Sequence, residues 1–362
     1  MTASLVVQTS FLGDMVLTTP LFAYLARSGP VDVVCTPAAA ALVANNPSIR
    51  EVIPYDKRGT ERGARGFARL ASRLRAKKYG AAYMAQGSIR SGALATMAGI
   101  GDRVGFASSA GKVFYTTRIA PIDNMHHAAR LLSLGTRDPL REVGRTELQP
   151  HLYPGDRERA AVDALLGCPS ERSEGSLASQ GSSAVTRGRE SLVTGASRDD
   201  KRLIALAPGS VWATKRWPFY ADLARELAKD ATIVVIGAEA DRSLAAEIVA
   251  ATNGKAIDAT GRLSLLASAE LIGRAAALVT NDSAPQHLAS AMNIPTLAIF
   301  GPTVPEFGFG PLADRARTLG HSDLACRPCD RHGPQKCPLG HWRCMREISA
   351  DDVAAAVREL LP

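Results

Sequence analysis

The loop at residues 10–14 places a glycine and a carboxylate directly after an apolar run at residues 5–8. Gly13 would let the backbone approach a ligand closely. Asp14 would stand at the start of the following helix, where a carboxylate is held rigidly and can take a proton from an acceptor hydroxyl. The same side chain could instead cap that helix. The loop therefore predicts a general base, a helix cap, or one residue in both roles.

A second polar loop, at residues 208–218, reads Pro-Gly-Ser-Val-Trp-Ala-Thr-Lys-Arg-Trp-Pro. Pro218 suits the first position of a helix, whose free amides and positive dipole end would lie beside Thr214 and Lys215. This arrangement suits a diphosphate. The spacing of a Walker A loop is absent, which disfavours a kinase or an ATPase. The alternative is a surface loop with two exposed cations, Lys215 and Arg216, and a buried tryptophan.

A third loop, at residues 279–289, reads Val-Thr-Asn-Asp-Ser-Ala-Pro-Gln-His-Leu-Ala. Asp282 and Ser283 would stand at the N-terminus of another helix, with His287 one turn further on. The free amides of that end would bind a phosphate, and Asp282 could accept a hydrogen bond from a sugar hydroxyl. The alternative is that Asp282 caps the helix and His287 is a hydrogen-bonded core residue.

Short apolar runs precede all three loops and indicate the strands that position them. The runs lie at residues 5–8, 31–35, 81–84, 203–207, 232–236, 277–280 and 296–300. They alternate with amphipathic stretches of helical length, which is typical of parallel sheets with crossover helices. Such sheets bind ligands at the carboxyl ends of their strands. We therefore predict an α/β fold with two doubly wound domains, one in each half of the chain.

The division between the halves is visible in the composition. Residues 168–200 are rich in Ser, Gly, Arg and Glu and nearly free of large apolar side chains. Such a segment cannot bury enough surface to offset chain entropy, so it is predicted to be a disordered linker or insertion. The predicted domains are 1–167 and 201–348. A final helix is predicted at 349–362, capped by Ser349.

The overall composition bounds the class of protein. A length of 362 residues predicts about two domains, and 46% hydrophobic with 22% charged residues excludes a disordered or collagenous chain. No apolar run has the length of a membrane span and no signal-peptide pattern is present, so we expect a cytoplasmic protein with reduced cysteines. Residues 1–165 carry 21 Lys and Arg against 13 Asp and Glu, which favours an anionic partner. An aromatic content of 5% disfavours a nucleic-acid partner bound through base stacking.

Taken together, the three loops resemble the lipopolysaccharide heptosyltransferases, glycosyltransferase family 9. The matching motifs are Ser-x-x-Gly-Asp, Pro-Gly-Ser with Lys-Arg-Trp-Pro, Asn-Asp-Ser-x-Pro-x-His-Leu-Ala, and Leu-Ala-Ile-Phe-Gly-Pro-Thr at residues 297–303, in that order. Two positions depart from the pattern: Ala284 stands where the family usually has Gly, and Gln286 replaces a more apolar residue. The resemblance implies the GT-B architecture, in which two Rossmann-like domains face each other across a cleft. The acceptor would lie on the N-terminal domain and the nucleotide sugar on the C-terminal one.

The resemblance also implies a reaction and the residues that perform it. Heptose would pass with inversion from ADP-L-glycero-D-manno-heptose to a lipid A-linked Kdo/heptose acceptor, with Asp14 as the catalytic base and no metal required. The implied donor-binding residues are Ser210, Thr214, Lys215, Glu239, Asp282, Ser283 and His287. Among them Lys215 would bind the donor phosphate and Glu239 the ribose. The motif forms favour the heptosyltransferase II type. Heptosyltransferase I, a later core transferase and a non-catalytic nucleotide-sugar binder are the alternatives.

A basic stretch between residues 57 and 78 contains nine Lys or Arg and one acidic residue. Arg62, Arg65 and Arg69 recur in it at three- and four-residue steps, so they would share one face of a helix. Together with Gly13 they are assigned to the acceptor side. The arginines would meet phosphates of the acceptor's lipid moiety or the anionic inner face of the inner membrane. The alternative is an ordinary solvated helix face.

The cysteines near the C-terminus have the pattern Cys326-x2-Cys329-x7-Cys337-x6-Cys344. Four soft ligands are enough for a tetrahedral zinc ion, so a structural zinc is possible. A zinc ribbon normally has two Cys-x2-Cys pairs, however, and only one is present. Free or oxidised thiols are therefore the favoured interpretation.

Overall fold

The computed structural model describes residues 2–57, 59, 61–167 and 202–361. Each half of the chain contains one six-stranded sheet in which all the paired strands are parallel. The linker predicted at 168–200 lies outside the described residues. Over the part of the chain that is described, no helix is both long and apolar enough to cross a bilayer.

The first half forms its sheet from β1 (Ser4–Gln8), β2 (Val31–Cys35), β3 (Glu51–Pro54), β4 (Ala81–Tyr83), β5 (Asp102–Phe106) and β6 (Thr117–Ile119). Across the sheet these strands lie in the order β3-β2-β1-β4-β5-β6. The α-helices described in this half are α1 (Leu12–Ala26), α2 (Pro37–Val43), α3 (Gly63–Ala76), α4 (Ile89–Met97), α5 (His127–Thr136), α6 (Arg145–Leu148) and α7 (Asp156–Leu166).

The second half forms its sheet from β7 (Arg202–Ala207), β8 (Ala231–Val235), β9 (Ile257–Asp258), β10 (Ala277–Asn281), β11 (Thr296–Phe300) and β12 (Ala316–Gly320). Their order is β12-β11-β10-β7-β8-β9. The α-helices described here are α8 (Tyr220–Leu227), α9 (Arg242–Ala251), α10 (Leu265–Gly273), α11 (Ala284–Met292), α12 (Arg343–Arg346) and α13 (Ala350–Leu360).

Both sheets have the same strand order, which is that of a doubly wound Rossmann-like fold. The order reverses between β1 and β4 in the first sheet and between β7 and β10 in the second. Ligands of such folds bind outside the carboxyl ends of the strands at this reversal. The three loops singled out in the sequence follow β1, β7 and β10, so each lies at such a point. The predicted α/β fold is confirmed, and all seven apolar runs are strands whose ends agree to within one residue.

Helix α1 lies between the two halves. Its sequence is apolar on nearly every side, as expected for a helix buried all round. It packs against α5 of its own half and against α11 of the other half. The helix begins at Leu12, two residues before Asp14. Gly13 and Asp14 consequently lie in its first turn, held between the two sheets.

The C-terminal part of the first half also packs across the interface. Helix α7 lies on α10, where Arg274 forms an ion pair with Asp163 and Val162 is buried in the core of the second half. This contact involves a helix that precedes the predicted domain boundary at residue 167. At the other end of the chain, Ser349 accepts a hydrogen bond from the backbone N–H of Asp352 and caps α13, as expected.

Candidate active site

A cavity of about 380 Å³ opens between the two halves, at the edge where the three sequence-predicted loops meet. Its lining comes from both sheets. The charged and titratable side chains that line it are Asp14, His127, Lys215, Asp282, His287, Arg331 and His332. The loops predicted from sequence thus converge on one space, together with residues that the sequence analysis did not single out.

Asp14 projects from the first turn of α1 with a side chain that is 19% exposed. The Ser10 hydroxyl lies 2.6 Å from Oδ2 of Asp14 and 2.6 Å from Oε1 of Gln8, so its single proton can serve either oxygen. Thr18 donates a hydrogen bond to the backbone carbonyl of Asp14 at 2.6 Å. The residue at the N-cap position is Phe11, not Asp14. The cap alternative for Asp14 is therefore wrong, and its carboxylate remains available to a ligand.

His127, at the start of α5, is the nearest basic side chain to this carboxylate. Its Nε2 lies 3.6 Å from Oδ1 of Asp14. Burial, together with the nearby charge of Arg130, lowers the pKa of His127 to about 3. At neutral pH, Asp14 therefore faces a neutral imidazole rather than a cation.

Gly13 packs against the second half of the chain. A Cβ atom at this position would lie 2.7 Å from Cδ2 of His287. Gly13 lines the cavity, and the group that approaches its Cα from the second half is the His287 ring. His287 is buried, burial lowers its pKa to about 4, and its Nδ1 has no hydrogen-bond partner among the described residues. His287 is thus not the fully hydrogen-bonded core residue of the alternative interpretation.

Lys215 and Asp282 form an ion pair on the opposite side of the cavity. Nζ of Lys215 lies 2.6 Å from Oδ2 of Asp282, and both side chains are only 10% exposed. Thr303 donates to the same carboxylate oxygen at 2.7 Å, and Gln286 donates to Oδ1 at 2.9 Å. Gln286, one of the two departures from the family pattern, therefore holds Asp282 in place. Since Asp282 is not the N-cap of α11, the cap alternative is wrong for this residue also.

The loop after β7 differs from its prediction. Helix α8 begins at Tyr220, not at Pro218, and a short 3-10 turn at Ala213–Lys215 precedes it. The reason is a long-range contact, because the backbone N–H of Trp217 donates to Oδ1 of Asn281 at 3.1 Å. Lys215 is buried, so the alternative of two exposed cations is wrong as well.

The remaining donor-side residues lie at different distances from the cavity. Ser210 and Ser283 line it, and Ser283 is the N-cap of α11, whose first-turn amides have no partner within the helix. Thr214 does not line the cavity, and its hydroxyl donates to the carbonyl of Pro334. Glu239 follows β8 at the same edge of the sheet. It is exposed, pairs with Arg242 at 3.0 Å and does not line the cavity.

The basic stretch lies away from the cavity on α3. Arg65 and Arg69 are exposed, Arg62 is the exposed N-cap, and Leu70 and Leu74 are buried on the opposite face. This is the division of faces that the spacing predicted. None of the three arginines lines the cavity.

Of the C-terminal cysteines, Cys326, Cys329 and Cys337 lie in loops, and Cys344 lies in α12. Sγ of Cys326 is 3.9 Å from Nε2 of His341. Burial raises the pKa of the Cys337 thiol, but backbone N–H groups at residues 339–342 outweigh it and hold that pKa below its usual value. Within the described ranges, no group of three or more His, Cys, Asp or Glu side chains is arranged to hold a metal ion.

A seam between the halves forms one wall of the cavity. The backbone N–H of His127 donates to the carbonyl of Gly308 at 2.7 Å, and Arg130 donates to the carbonyl of Phe307 at 2.6 Å. The ring of Phe309 lies 4.9 Å from that of His127 and 6.5 Å from that of His287. His127 and Phe309 were missed because no local motif surrounds them in the sequence.

Comparison with known proteins agrees with this geometry. The family model described as glycosyltransferase family 9 (heptosyltransferase) matches residues 67–341. Lipopolysaccharide heptosyltransferase 2 of Escherichia coli K12 is 27% identical over 337 residues, which is 87% of each chain. Among solved structures, a family 9 glycosyltransferase from Veillonella parvula superimposes with a TM-score of 0.80 at 22% identity, covering 99% of this chain and 97% of that one. The E. coli ADP-heptose lipopolysaccharide heptosyltransferase II superimposes with a TM-score of 0.73 at 22% identity, covering 99% and 98%. The chain belongs to glycosyltransferase family 9, the heptosyltransferases.

Proposed function

We propose that this chain transfers heptose from ADP-L-glycero-D-manno-heptose to the inner core of lipopolysaccharide, with inversion at the anomeric carbon, as a transferase of the heptosyltransferase II type. The observation that carries the proposal is the shared cavity. In it Asp14 faces the Lys215–Asp282 pair and the start of α11 from the opposite half. The relative named heptosyltransferase 2 supports the sugar and the acceptor, and the E. coli ADP-heptose enzyme supports the nucleotide.

Asp14 would act on the acceptor. Its carboxylate removes the proton of the acceptor hydroxyl as that oxygen bonds to the anomeric carbon, on the face opposite the diphosphate. Ser10 lies against Oδ2, so Oδ1 is the oxygen left to receive the proton. The neutral ring of His127 beside Oδ1 supports this role, because a cation there would lower the basicity of the carboxylate.

The second half would bind the donor and stabilise ADP as it leaves. As the bond from the anomeric carbon to the diphosphate breaks, the electron pair leaves with ADP, whose negative charge grows. Lys215, the Ser210 hydroxyl and the first-turn amides of α11 border the cavity where that charge would develop. Thr214 and Asp282 hold this wall together, and His287 lines the cavity beside Gly13. Glu239 would accept from the ribose hydroxyls at the carboxyl end of β8.

The acceptor is a lipid-linked sugar with phosphate groups, and α3 would meet it. Arg62, Arg65 and Arg69 present three exposed cations outside the cavity, where the lipid end of the acceptor or an anionic membrane face would lie. Each such contact contributes about 1 kcal/mol near an anionic surface.

The test is to incubate the protein with ADP-heptose and a series of truncated core acceptors, and to follow each acceptor by mass spectrometry. The proposal predicts that the acceptor already carrying one heptose gains the mass of a second. Gain by the heptose-free Kdo acceptor instead would indicate the heptosyltransferase I type. Binding of ADP-heptose without mass gain by any acceptor would indicate a nucleotide-sugar binder and contradict the proposal.

A further inference from the structure

The cysteine-rich segment, defined as residues 326–344, reaches the active cavity. Arg331 and His332 line it, opposite the loop that carries Asp14. The ring of His332 lies nearly parallel to that of Trp212, at 19° and 6.1 Å between centroids, and 6.1 Å from the ring of Phe11. Residues 331 and 332 therefore form part of the cavity's mouth.

The segment is fastened to the loop that carries Lys215. The backbone N–H of Thr214 donates to the carbonyl of Pro334, and that of Ala213 donates to Oε1 of Gln335 at 3.1 Å. Gln335 donates in turn to the carbonyl of Val211 at 3.0 Å. These bonds connect two parts of the chain that lie about 120 residues apart, so Arg331 is held in a fixed place beside the donor loop.

Gly333 makes this close packing possible. Its φ of +85° favours glycine, and a Cβ atom there would lie 3.2 Å from Oγ1 of Thr214 and 3.3 Å from Cγ of Lys215. On the other side of Arg331, the backbone N–H of Cys329 donates to the carbonyl of Pro302 at 2.9 Å. The backbone on both sides of Arg331 is thus tied down.

The charges around the cavity differ in how far they are compensated. Lys215 is paired with Asp282 at 2.6 Å, so much of its positive charge is already neutralised. Arg331 is exposed and forms no ion pair within the described part of the chain. Burial is the main cause that lowers the pKa values of His127 and Arg130, and the charge of Arg331 lowers both further. The Arg331 guanidinium therefore lies close enough to His127, which lines the cavity, to influence it.

We infer that Arg331 binds the diphosphate of the nucleotide-sugar donor and supplies the positive charge that the paired Lys215 cannot; this inference rests on the proposed function. A guanidinium can donate two parallel hydrogen bonds to phosphate oxygens, which matches the charge and the geometry of a diphosphate. The cysteine-rich segment then serves to place this cation over the leaving group.

The test is to measure binding of ADP and of adenosine by calorimetry at low ionic strength. Arg331→Gln is compared with Lys336→Gln, which removes the same charge from an exposed position of the same segment outside the cavity. We expect Arg331→Gln to weaken ADP binding about tenfold or more. Adenosine binding should not change, and Lys336→Gln should match the wild type. Arg331→Lys should retain part of the affinity for ADP, because lysine keeps the positive charge but lacks the two parallel N–H donors of the guanidinium.

Two results would overturn the inference. One is equal ADP affinity of Arg331→Gln and wild type, with or without a higher KM for the lipid acceptor, and the other is an equal loss of ADP affinity in Lys336→Gln. The proposed function is judged separately, by the wild type. If the wild type binds GDP or UDP in place of ADP, the proposed donor is wrong. The role of Arg331 is then still decided by comparing the affinities of Arg331→Gln and the wild type for that nucleotide. If no nucleoside diphosphate binds, both fail.

Discussion

Gly13 and His287 hold the two halves of the molecule in contact beside the proposed base. The space for a Cβ atom on Gly13 is taken by the His287 ring, 2.7 Å away. Gly13 is the residue before Asp14, and His287 is a buried residue of α11, so their contact sets how closely the base approaches the donor side. The glycine is therefore required for packing between helices rather than for flexibility.

Gly13→Ala should destabilise the protein by about 1–3 kcal/mol, the usual cost of overpacking a core. Alanine is otherwise the better helix former by about 1 kcal/mol, so any loss measures the clash with His287. The free energy of unfolding in urea checks this.

The control is the same substitution in a His287→Ala background. There the clash is removed, and Gly13→Ala should be neutral or stabilising, which a double-mutant cycle would record as coupling between the two sites. Gly101→Ala, at a position with open space, should leave stability nearly unchanged. A loss of the same size in both backgrounds would contradict the assigned contact.

Asp14→Asn should lower kcat by about 100- to 10,000-fold, the range that a general base contributes. The amide has nearly the shape of the carboxylate but cannot accept the acceptor's proton. Affinity for ADP should be retained, because Asp14 faces the acceptor side of the cavity. Steady-state kinetics and calorimetry with ADP separate the two quantities.

Asp138→Asn is the matched control, since it removes an exposed carboxylate of the same half outside the cavity. It should behave as the wild type. Transfer by Asp14→Asn at a near wild-type rate would show that another group is the base.

Replacement of Arg62, Arg65 and Arg69 together by Gln should weaken binding to vesicles that contain anionic lipid. Three lost contacts of about 1 kcal/mol each predict a fall of roughly 100-fold at low salt. The difference should shrink as salt rises, because exposed charges are screened. Co-sedimentation with vesicles at several salt concentrations measures it.

A second triple variant, Lys255→Gln with Arg262→Gln and Arg346→Gln, removes three exposed cations from the other half. It should bind vesicles as the wild type does. If both triple variants lose affinity equally, net charge rather than the face of α3 is responsible. If the wild type binds neutral and anionic vesicles alike, the membrane role of α3 is wrong.

The sequence predicted those features that depend on local pattern. The run at residues 296–300 is a buried strand, β11, because a short, fully apolar run between polar loops has few other ways to be buried. Asp14, Lys215 and Asp282 could be placed near the carboxyl ends of predicted strands, where such sheets bind ligands, and the resemblance to family 9 implied that they share a cleft.

The sequence could not predict features that depend on distant contacts. The start of α8 moved from Pro218 to Tyr220 because Asn281, more than 60 residues away, binds the backbone of Trp217. Arg331 was not singled out because it lies in a segment that was considered only for its cysteines, whereas its position at the cavity comes from bonds between that segment and the loop at residues 211–214.

Acidification should destabilise the protein through its two buried cavity histidines. Burial lowers the pKa of His127 to about 3 and that of His287 to about 4 in the folded protein, from a usual value of 6.5. Below pH 6.5 the unfolded chain therefore binds protons that the folded protein does not. The stability that each neutral ring contributes is fully present above pH 6.5. It is lost as the pH falls, towards 4 for His287 and towards 3 for His127, by up to about 1.4 kcal/mol per pH unit for each histidine.

His127→Gln should make the free energy of unfolding less dependent on pH between 6.5 and 4.5, and a further His287→Gln should flatten it more. Glutamine cannot gain a proton in this range, so each substitution removes one histidine's contribution to the pH dependence of the free energy of unfolding. This holds even if the substitution also changes the stability at pH 7.5. Urea unfolding at a series of pH values gives the slope. A double variant with the slope of the wild type would mean that other groups dominate the response and that neither ring is kept neutral by the fold.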